Sequence, residues 1–443
     1  MSIYFLGIGG IGMSAIARYF MQCGKKVYGY DRTPSPLTEQ LQEAGAIIHF
    51  KEDTAQIPDD VEYVVYTPAV PKNHKEYIYF QEHNIPIHKR SEVLGILTKG
   101  HPTVAVAGTH GKTTTTSMLA HLLDPYRKIT AFIGGIAKNF DSNIVINKDF
   151  DMAVVEADEF DRSFLTLYPT IAVITSMDAD HLDIYGDRNH LVESFQLFAN
   201  QVDKDGFLVI HEKVAELVSH PKKRVYGTGD GCDYRISNVE MGPVTARFTL
   251  TDKDGTAHPF TIGVSGMHNV TNAAAACAVG LLLGLTEPQI QRQMETFNGV
   301  KRRFDYQICR DDLVFIDDYA HHPEEIRAIV TAVKRLYADR ELTVVFQPHL
   351  YTRTRDFGPQ FAEVLSLADH VILLDISPAR ELPIEGITSQ WLLEQISSKS
   401  KILVSKEMLV TYLCENRPQV LLTVGAGDID RLVPEIKAGL EYL

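Results

Sequence analysis

Short apolar runs rich in β-branched residues recur along this chain. Each gives way to a polar or glycine-rich break and then to apolar positions at helical spacing. Runs of this kind read as buried strands, and their alternation with helices predicts an α/β fold. The pattern predicts strands at Ile3–Ile8, Lys26–Tyr30, Tyr63–Tyr66 and Ile85–His88. Helices are expected over Ile11–Cys23, Glu76–His83 and Ser91–Leu97, the last capped by Ser91. The breakers Lys99-Gly100-His101-Pro102 mark a domain boundary. Beyond them, strands are expected at V-A-V-A from Val104, Thr130–Ile133, Met152–Val155 and Ile171–Thr175. Val209 to Gly263 alternates strands and turns, with a hairpin signal at Asp252-Lys253-Asp254-Gly255. Asn269–Leu283 reads as an alanine-rich helix. A last block places strands at Leu313–Ile316, Thr343–Phe346, His370–Leu374 and Leu421–Val424, with a helix from Pro323.

Composition narrows this picture. A chain of 443 residues is expected to form two or three domains. Apolar residues make up 45% and charged residues 23%, which is ordinary for a globular protein. The formal charge of −14 argues against general nucleic-acid binding, so an anionic ligand must be met by local Lys, Arg, backbone donors or metal. Cys23, Cys232, Cys277, Cys309 and Cys414 are scattered without metal-ligand spacing and read as reduced cytoplasmic thiols. Neither a signal peptide nor a membrane span is expected; the apolar run Ala273–Leu285 reads as a buried helix.

The chemistry gathers at the breaks after strands. Val104 to Met118, V-A-V-A-G-T-H-G-K-T-T-T-T-S-M, reads as strand, glycine loop and helix, the helix running from Thr113 to Leu123. Backbone N–H groups of such a loop cradle phosphate, Lys112 can reach the terminal phosphates, and the Thr113 hydroxyl can hold Mg²⁺. The strict phosphate-loop pattern wants glycine where Val106 stands, so this is a shorter variant. The N-terminal G-I-G-G-I-G (Gly7, Gly9, Gly12) between strand and helix, with Asp31 after the next strand, fits a dinucleotide-type diphosphate site. T-P-A-V-P and Arg90 follow it; Arg90 suits either a phosphate or solvent. E-A-D-E-F-D (Glu156, Asp158, Glu159, Asp161) and S-M-D-A-D-H-L-D (Asp178, Asp180, His181, Asp183) put acids and an imidazole at two strand ends beside the loop, a set suited to Mg²⁺. His268, Asn269 and Asn272 open the alanine-rich helix, where they can face a base or where Asn269 can cap it. Lys301, Arg302 and Arg303 form a basic arm. Polar rims follow the last strands: Asp317, Asp318, Tyr319, His321 and His322; His349, Tyr351, Arg353 and Arg355; S-P-A-R-E; and G-A-G-D.

Taken together, G-T-H-G-K-T-T-T-T, E-A-D-E-F-D, D-A-D-H-L-D, G-x-H-N-x-x-N, R-R-F-D, D-D-Y-A-H-H-P and F-Q-P-H-x-Y-T-R-T-R-D resemble, in order and along nearly the whole chain, the bacterial Mur ligases. The resemblance implies an α/β protein of three domains: a Rossmann-like UDP-binding domain over 1–99, a central mixed-sheet P-loop ATPase over 100–300, and a Rossmann-like domain over 301–443 that brings the amino acid. It implies a cytoplasmic, ATP-dependent amide-forming enzyme of cell-wall precursor synthesis, using Mg²⁺ or Mn²⁺, monomeric or weakly dimeric. The opening G-I-G-G-I-G-M-S points to the branch that joins L-alanine to UDP-N-acetylmuramate through an acyl phosphate.

By matched motif, the ATP site is Gly108, Thr109, His110, Gly111, Lys112, Thr113, Thr114, His268, Asn269, Asn272 and Asp318. Thr113, Glu156 and His181 are implied to bind metal, and Lys112, Arg303 and His181 to act in catalysis. Gly9, Gly10, Ile11, Gly12, Asp31, Thr67 and Arg90 are implied to hold the UDP-sugar, and Tyr319, His321, His349 and Arg353 the amino acid. Two departures stand out. Leu350 occupies a place where the family carries arginine. No lysine stands near Phe195 and Gln196, where sister ligases for later amino acids carry a modified one. Rival readings are a recycling ligase that adds a tripeptide, an NAD-dependent oxidoreductase suggested by the first domain alone, and a non-enzymatic ATP-binding module.

Overall fold

A computed structural model describes residues 1–177, 188–379 and 381–441, without the side chains of Phe160, Asp161 and Arg188. Asp178, Asp180, His181, Asp183 and the arginine of S-P-A-R-E lie outside the described residues, as does the side chain of Asp161. Two compact units divide the chain, Met1–Val300 and Lys301–Leu443.

The first unit opens with a five-stranded parallel sheet in the order β3-β2-β1-β4-β5. Its strands are β1 (Ser2–Leu6), β2 (Lys26–Tyr30), β3 (Ile47–His49), β4 (Val61–Tyr66) and β5 (Ile87–Lys89). Helices α1 (Ile11–Gln22), α2 (Pro36–Glu43) and α3 (Lys75–Glu82) lie between these strands, and α4 (Arg90–Thr98) follows β5. The first strand ends at Leu6, short of the expected Ile8, because Gly7 turns the chain at φ +84°. Ser91 does not cap α4. The helix starts at Arg90, Ser91 is buried inside it, and the Lys89 N–H donates to the Glu92 carboxylate at 2.8 Å.

A mixed sheet of ten strands follows in the same unit, in the order β15-β14-β13-β12-β11-β10-β6-β9-β7-β8. Its middle is parallel: β6 (Thr103–Ala107), β7 (Ile129–Ala137), β9 (Met152–Glu156), β10 (Ile171–Ile174), β11 (Phe207–His211) and β12 (Lys223–Gly227). Antiparallel β8 (Ser142–Val145) closes one edge. At the other edge β13 (Tyr234–Met241) is followed by the antiparallel hairpin of β14 (Ala246–Thr251) and β15 (Ala257–Ile262). That hairpin turns at the expected D-K-D-G, where the Asp252 carboxylate accepts the Asp254 and Thr256 N–H groups at 2.9 Å and Gly255 takes φ +84°.

Helix α5 (Lys112–Leu123) leaves β6, and α6 (Arg188–Asn200) precedes β11. Helix α7 (Met267–Leu282) begins two residues before the expected Asn269 and packs on α5, as does α8 (Glu287–Glu295). Ala273 to Val279 are fully buried, and Gly280 admits Leu122, whose Cδ2 would lie 3.0 Å from a Cβ there. The alanine face thus sets how close α7 comes to the helix behind the glycine loop. Truncating a side chain of that core, such as Met118, is expected to cost about 2–5 kcal/mol.

The second unit carries a six-stranded sheet, β16-β17-β21-β18-β19-β20, parallel except for β16. The strands are β16 (Asp305–Cys309), β17 (Val314–Asp318), β18 (Leu342–Phe346), β19 (His370–Leu373), β20 (Ser400–Leu403) and β21 (Val420–Val424). Its helices are α9 (Pro323–Leu336), α10 (Tyr351–Leu365), α11 (Ser389–Gln395), α12 (Lys406–Glu415) and α13 (Val433–Glu441). The expected rims of polar residues fall just past the carboxyl ends of β17, β18 and β21, where open α/β sheets bind ligands.

Candidate active site

Strand β6 is buried along its whole length, and the chain breaks out of it at Gly108. Gly108 has φ +134°, and a Cβ there would overlap the Thr175 hydroxyl. The loop is pinned to the end of β10: the Ser176 hydroxyl lies 2.9 Å from both Thr109 Oγ1 and the His110 N–H. Gly111 turns the chain at φ +81° into α5, and a Cβ there would sit 2.5 Å from Asn272 Oδ1. Gly111 has no side chain to cap the first turn of α5, so those amides and the helix dipole are offered to an anion. Val106 is buried inside β6, so the turn begins two residues later than in the longer pattern.

The Lys112 ammonium donates to Gly108 O at 2.6 Å and meets both carboxylate oxygens of Glu159, at 2.9 and 2.8 Å. Burial alone would lower the pKa of Lys112, but Glu159 and Glu156 outweigh it, so the lysine is held charged. Thr113 Oγ1 donates to Glu156 Oε1 at 3.1 Å, and the Gly134 N–H donates to Glu156 Oε2 at 3.0 Å. Hydroxyl and carboxylate oxygens side by side are the donor types that Mg²⁺ takes. Among the described residues no three His, Cys, Asp or Glu side chains cluster as a metal site; the third expected ligand, His181, lies outside them.

At the start of α7 the N-cap is Gly266, at φ +106°, and not Asn269. Asn269 is buried in the first turn, and its amide donates to Ser265 O at 2.7 Å. Asn272 is the residue that reaches the glycine loop, while His268 is exposed.

The first sheet's glycine loop has a comparable construction. Gly10 precedes α1, whose first turn contains Ile11 and Gly12. Asp31 Oδ2 accepts the Gly9 N–H at 2.7 Å, and Oδ1 accepts the Arg32 N–H at 2.7 Å. Thr67 packs on Gly7, where a Cβ would come within 2.6 Å of its methyl group. Arg90 is half-buried and paired: its Nη2 lies 3.3 Å from Asp158 Oδ2 and its Nη1 lies against Gly12.

In the second unit the residues expected to bind an amino acid converge past β17 and β18. The Tyr319 ring is flanked by the Arg302 and Arg303 guanidinium groups, 5.2 and 5.3 Å from its centroid. His321 Nδ1 lies 3.1 Å from Tyr319 O and 3.4 Å from Glu325. Burial, then the charges of Arg353 and His321, pushes the His349 imidazole down to about 4, and its buried Nδ1 has no hydrogen bond among the described residues. Leu350 enters α10 at φ +71°, a strained conformation of the kind retained near functional sites. Asp318 accepts the Phe304 N–H at 2.7 Å and the Ala320 N–H at 2.8 Å. Arg302 Nε donates to Asp317 at 3.2 Å.

The sequence pattern passed over several residues of these sites. Thr175 backs the loop, Gly134 holds Glu156, and Glu325 accepts the His321 and His322 N–H groups; Ser176 and Glu381 stood in motifs already singled out but without a role, and they back the loop and accept the N–H and hydroxyl of Thr352, respectively. Only Gly134 carried a local sign, as a glycine pair inside an apolar strand.

Three family models match the chain in succession: the Mur ligase family catalytic domain over residues 2–102, the Mur ligase middle domain over 106–280, and the Mur ligase glutamate ligase domain over 302–427. The chain belongs to the Mur ligase family. Among curated relatives, this Mur ligase is 47% identical to the UDP-N-acetylmuramate–L-alanine ligase of Phocaeicola vulgatus, over 98% of this chain and 97% of the relative. It is 48% identical to the enzyme of the same name from Flavobacterium psychrophilum, over 99% and 98%. Its fold matches the crystal structure of the UDP-N-acetylmuramate–alanine ligase MurC of Thermotoga maritima, with a TM-score of 0.85, 28% identity, and coverage of 100% of this chain and 99% of that one. The murein peptide ligase of Psychrobacter arcticus shares the fold, with a TM-score of 0.73 at 21% identity and coverage of 100% and 99%.

Proposed function

We propose that this Mur ligase joins L-alanine to the lactyl carboxylate of UDP-N-acetylmuramate, in the cytoplasm, at the expense of ATP. The likeness at 47–48% identity over nearly the whole chain to ligases named for that reaction supports it. The observation that carries the chemistry is Lys112, charged and buried on a phosphate-type loop beside the Thr113–Glu156 pair.

A carboxylate resists attack by an amine because it is a poor electrophile. Its oxygen therefore attacks the γ-phosphorus of ATP, giving an acyl phosphate and ADP. The neutral amine of alanine adds to the acyl carbon, loses a proton, and phosphate leaves from the tetrahedral adduct, yielding the amide. The loop amides and Lys112 bind the triphosphate and offset its charge, and Arg303 adds positive charge at the transferring phosphoryl. Asn272, with His268 and Asn269, faces the base, and Asp318 the ribose. Thr113 and Glu156, with His181, would hold a Mg²⁺ or Mn²⁺ ion, which supplies electrostatic stabilisation of phosphate charge when bound. The loop of Gly9, Gly10, Ile11 and Gly12, with Asp31, Thr67 and Arg90, takes the UDP moiety. Arg353 takes the alanine carboxylate, and Tyr319, His321 and His349 line the rest of its pocket; the neutral His349 ring can accept a hydrogen bond from the amine. We assign the three domains to 1–99, 100–300 and 301–443.

A tripeptide-adding ligase of the same fold is the alternative reaction. Phosphate release with L-alanine, glycine, L-serine or tripeptide, each with and without UDP-N-acetylmuramate, decides. Release that needs both L-alanine and the sugar nucleotide is expected; release with tripeptide but not alanine overturns the assignment. No helix among the described residues is long and apolar enough to cross a membrane.

A further inference from the structure

Arg90 stands where the two sheets of the Met1–Val300 unit meet. It is the first residue of α4, and its guanidinium covers Gly12 in the first turn of α1. A Cβ at Gly12 would lie 2.9 Å from Arg90 Nη1 and 3.1 Å from Cδ. The same guanidinium pairs with Asp158 at 3.3 Å. Asp158 lies between Glu156, which holds Thr113, and Glu159, which holds Lys112. Arg90, Glu156 and Asp158 line one small cavity, closed by Leu94, Phe164 and Leu167. One side chain thus touches the glycine loop of the first sheet and the acidic strand end of the second.

The backbone around this pair is docked by other contacts. Thr166 Oγ1 donates to Ser91 O at 2.8 Å, and Gly95 lies so close to Thr166 O that a Cβ there would be 2.5 Å away. Asn143 on β8 donates to Ile11 O at 2.6 Å and to Ser14 Oγ at 2.9 Å, fixing the first turn of α1 from the other side. Helices α1 and α4 therefore keep their places whether or not Arg90 reaches Asp158. What the ion pair decides is the direction of a long, flexible side chain.

We propose that Asp158 is a positioning residue that aims Arg90 across Gly12, setting its guanidinium for the diphosphate of the sugar nucleotide. The inference rests on the reading of the glycine loop as the UDP-sugar site. It divides the acids at the end of β9 by role: Glu156 faces Thr113, Glu159 faces Lys112, and Asp158 serves the other substrate through Arg90. A preset guanidinium loses less freedom on meeting an anion than one that must first be ordered.

The test measures KM for UDP-N-acetylmuramate and for ATP, half-saturating Mg²⁺, and the thermal midpoint for Arg90→Ala, Asp158→Asn, Asp158→Glu and the double variant R90A/D158N. Arg90→Ala is expected to raise the sugar-nucleotide KM about tenfold or more, and Asp158→Asn about three- to tenfold. Asp158→Glu should recover part of that loss, and the double variant should be no worse than Arg90→Ala alone. KM for ATP and the Mg²⁺ requirement should stay within about twofold. If Arg90→Ala moves the sugar-nucleotide KM and Asp158→Asn does not, or if Asp158→Asn moves ATP and Mg²⁺ equally, the role of Asp158 is overturned. If Arg90→Ala itself leaves that KM unchanged, the reading of the glycine loop falls, and this inference with it.

Discussion

Lys112 and Glu159 form a buried ion pair, the ammonium lying 2.8 Å from one carboxylate oxygen and 2.9 Å from the other, with 14% and 1% of their side chains exposed. The residue best placed to meet a phosphate is thus held against the base of its own loop, at Gly108 O, by a carboxylate. On the proposed reading of the loop as the ATP site, a triphosphate arriving there would compete with Glu159 for that charge.

Lys112→Ala should abolish ATP turnover, by on the order of 10²–10³-fold or more, because it removes charge at the phosphates. The chain should still fold at 25 °C but with a lower melting temperature, since Glu159 is left buried without its counterion, a loss of about 3–5 kcal/mol in comparable cases. The double variant K112A/E159Q should regain melting temperature and not activity. Recovery of both, or of neither, contradicts this account of the pair.

Gly134→Ala should disturb Glu156, the carboxylate proposed to hold the metal. A Cβ there would overlap the Glu156 carboxylate that the Gly134 N–H now holds at 3.0 Å. The Mg²⁺ concentration for half-maximal phosphate release should rise about 10–100-fold, the usual cost of disturbing a ligand's support. An unchanged Mg²⁺ titration would remove Glu156 from the metal site.

Arg353→Ala should raise the KM for L-alanine roughly 10–100-fold, the equivalent of about 1.5–3 kcal/mol for a charge-assisted hydrogen bond. KM for ATP should barely move. Steady-state kinetics with each substrate varied in turn gives the comparison, and equal shifts would count against a carboxylate-binding role.

Histidine 349 gives a pH dependence of definite sign. Its folded pKa is pushed from 6.5 down to about 4, first by burial and then by Arg353 and His321. Between those values the unfolded chain binds more protons, so the stability contributed by this residue rises with pH across the window and is lost as pH falls through it. The stability of the wild type minus that of His349→Gln, from urea melts between pH 4 and 7.5, should grow up to about pH 6.5 and then level off. A flat difference would mean that folding does not shift the imidazole's pKa, and one that falls with pH that the folded protein holds it charged; either contradicts its burial as a neutral ring.

Much of this site lay open in the sequence because its parts are local. The strand before Gly108, the two glycines of the loop and Lys112-Thr113 adjoin one another, and the backbone rule that turns a strand into a phosphate cradle acts over a few residues. Helix starts were less legible. Asn269 and Ser91 are both good caps in isolation, yet Gly266 and the Lys89–Glu92 contact begin those helices, because each capping residue had a buried place to fill.

By itself, then, the chain determined the long apolar strands and where glycine, lysine and acids follow them, since apolar period and turn chemistry are written residue by residue; the short edge strands Ile47–His49, Ser142–Val145, Asp305–Cys309 and Ser400–Leu403 were not legible in it. Only the tertiary structure decided which of those acids meets which partner. Glu156 went to Thr113, Glu159 to Lys112 and Asp158 to Arg90. The three stand within a few residues of one another, but their partners come from a neighbouring strand's loop and from a different sheet. Such pairings follow from how parallel strands are ordered and how helices dock, which no short-range spacing encodes.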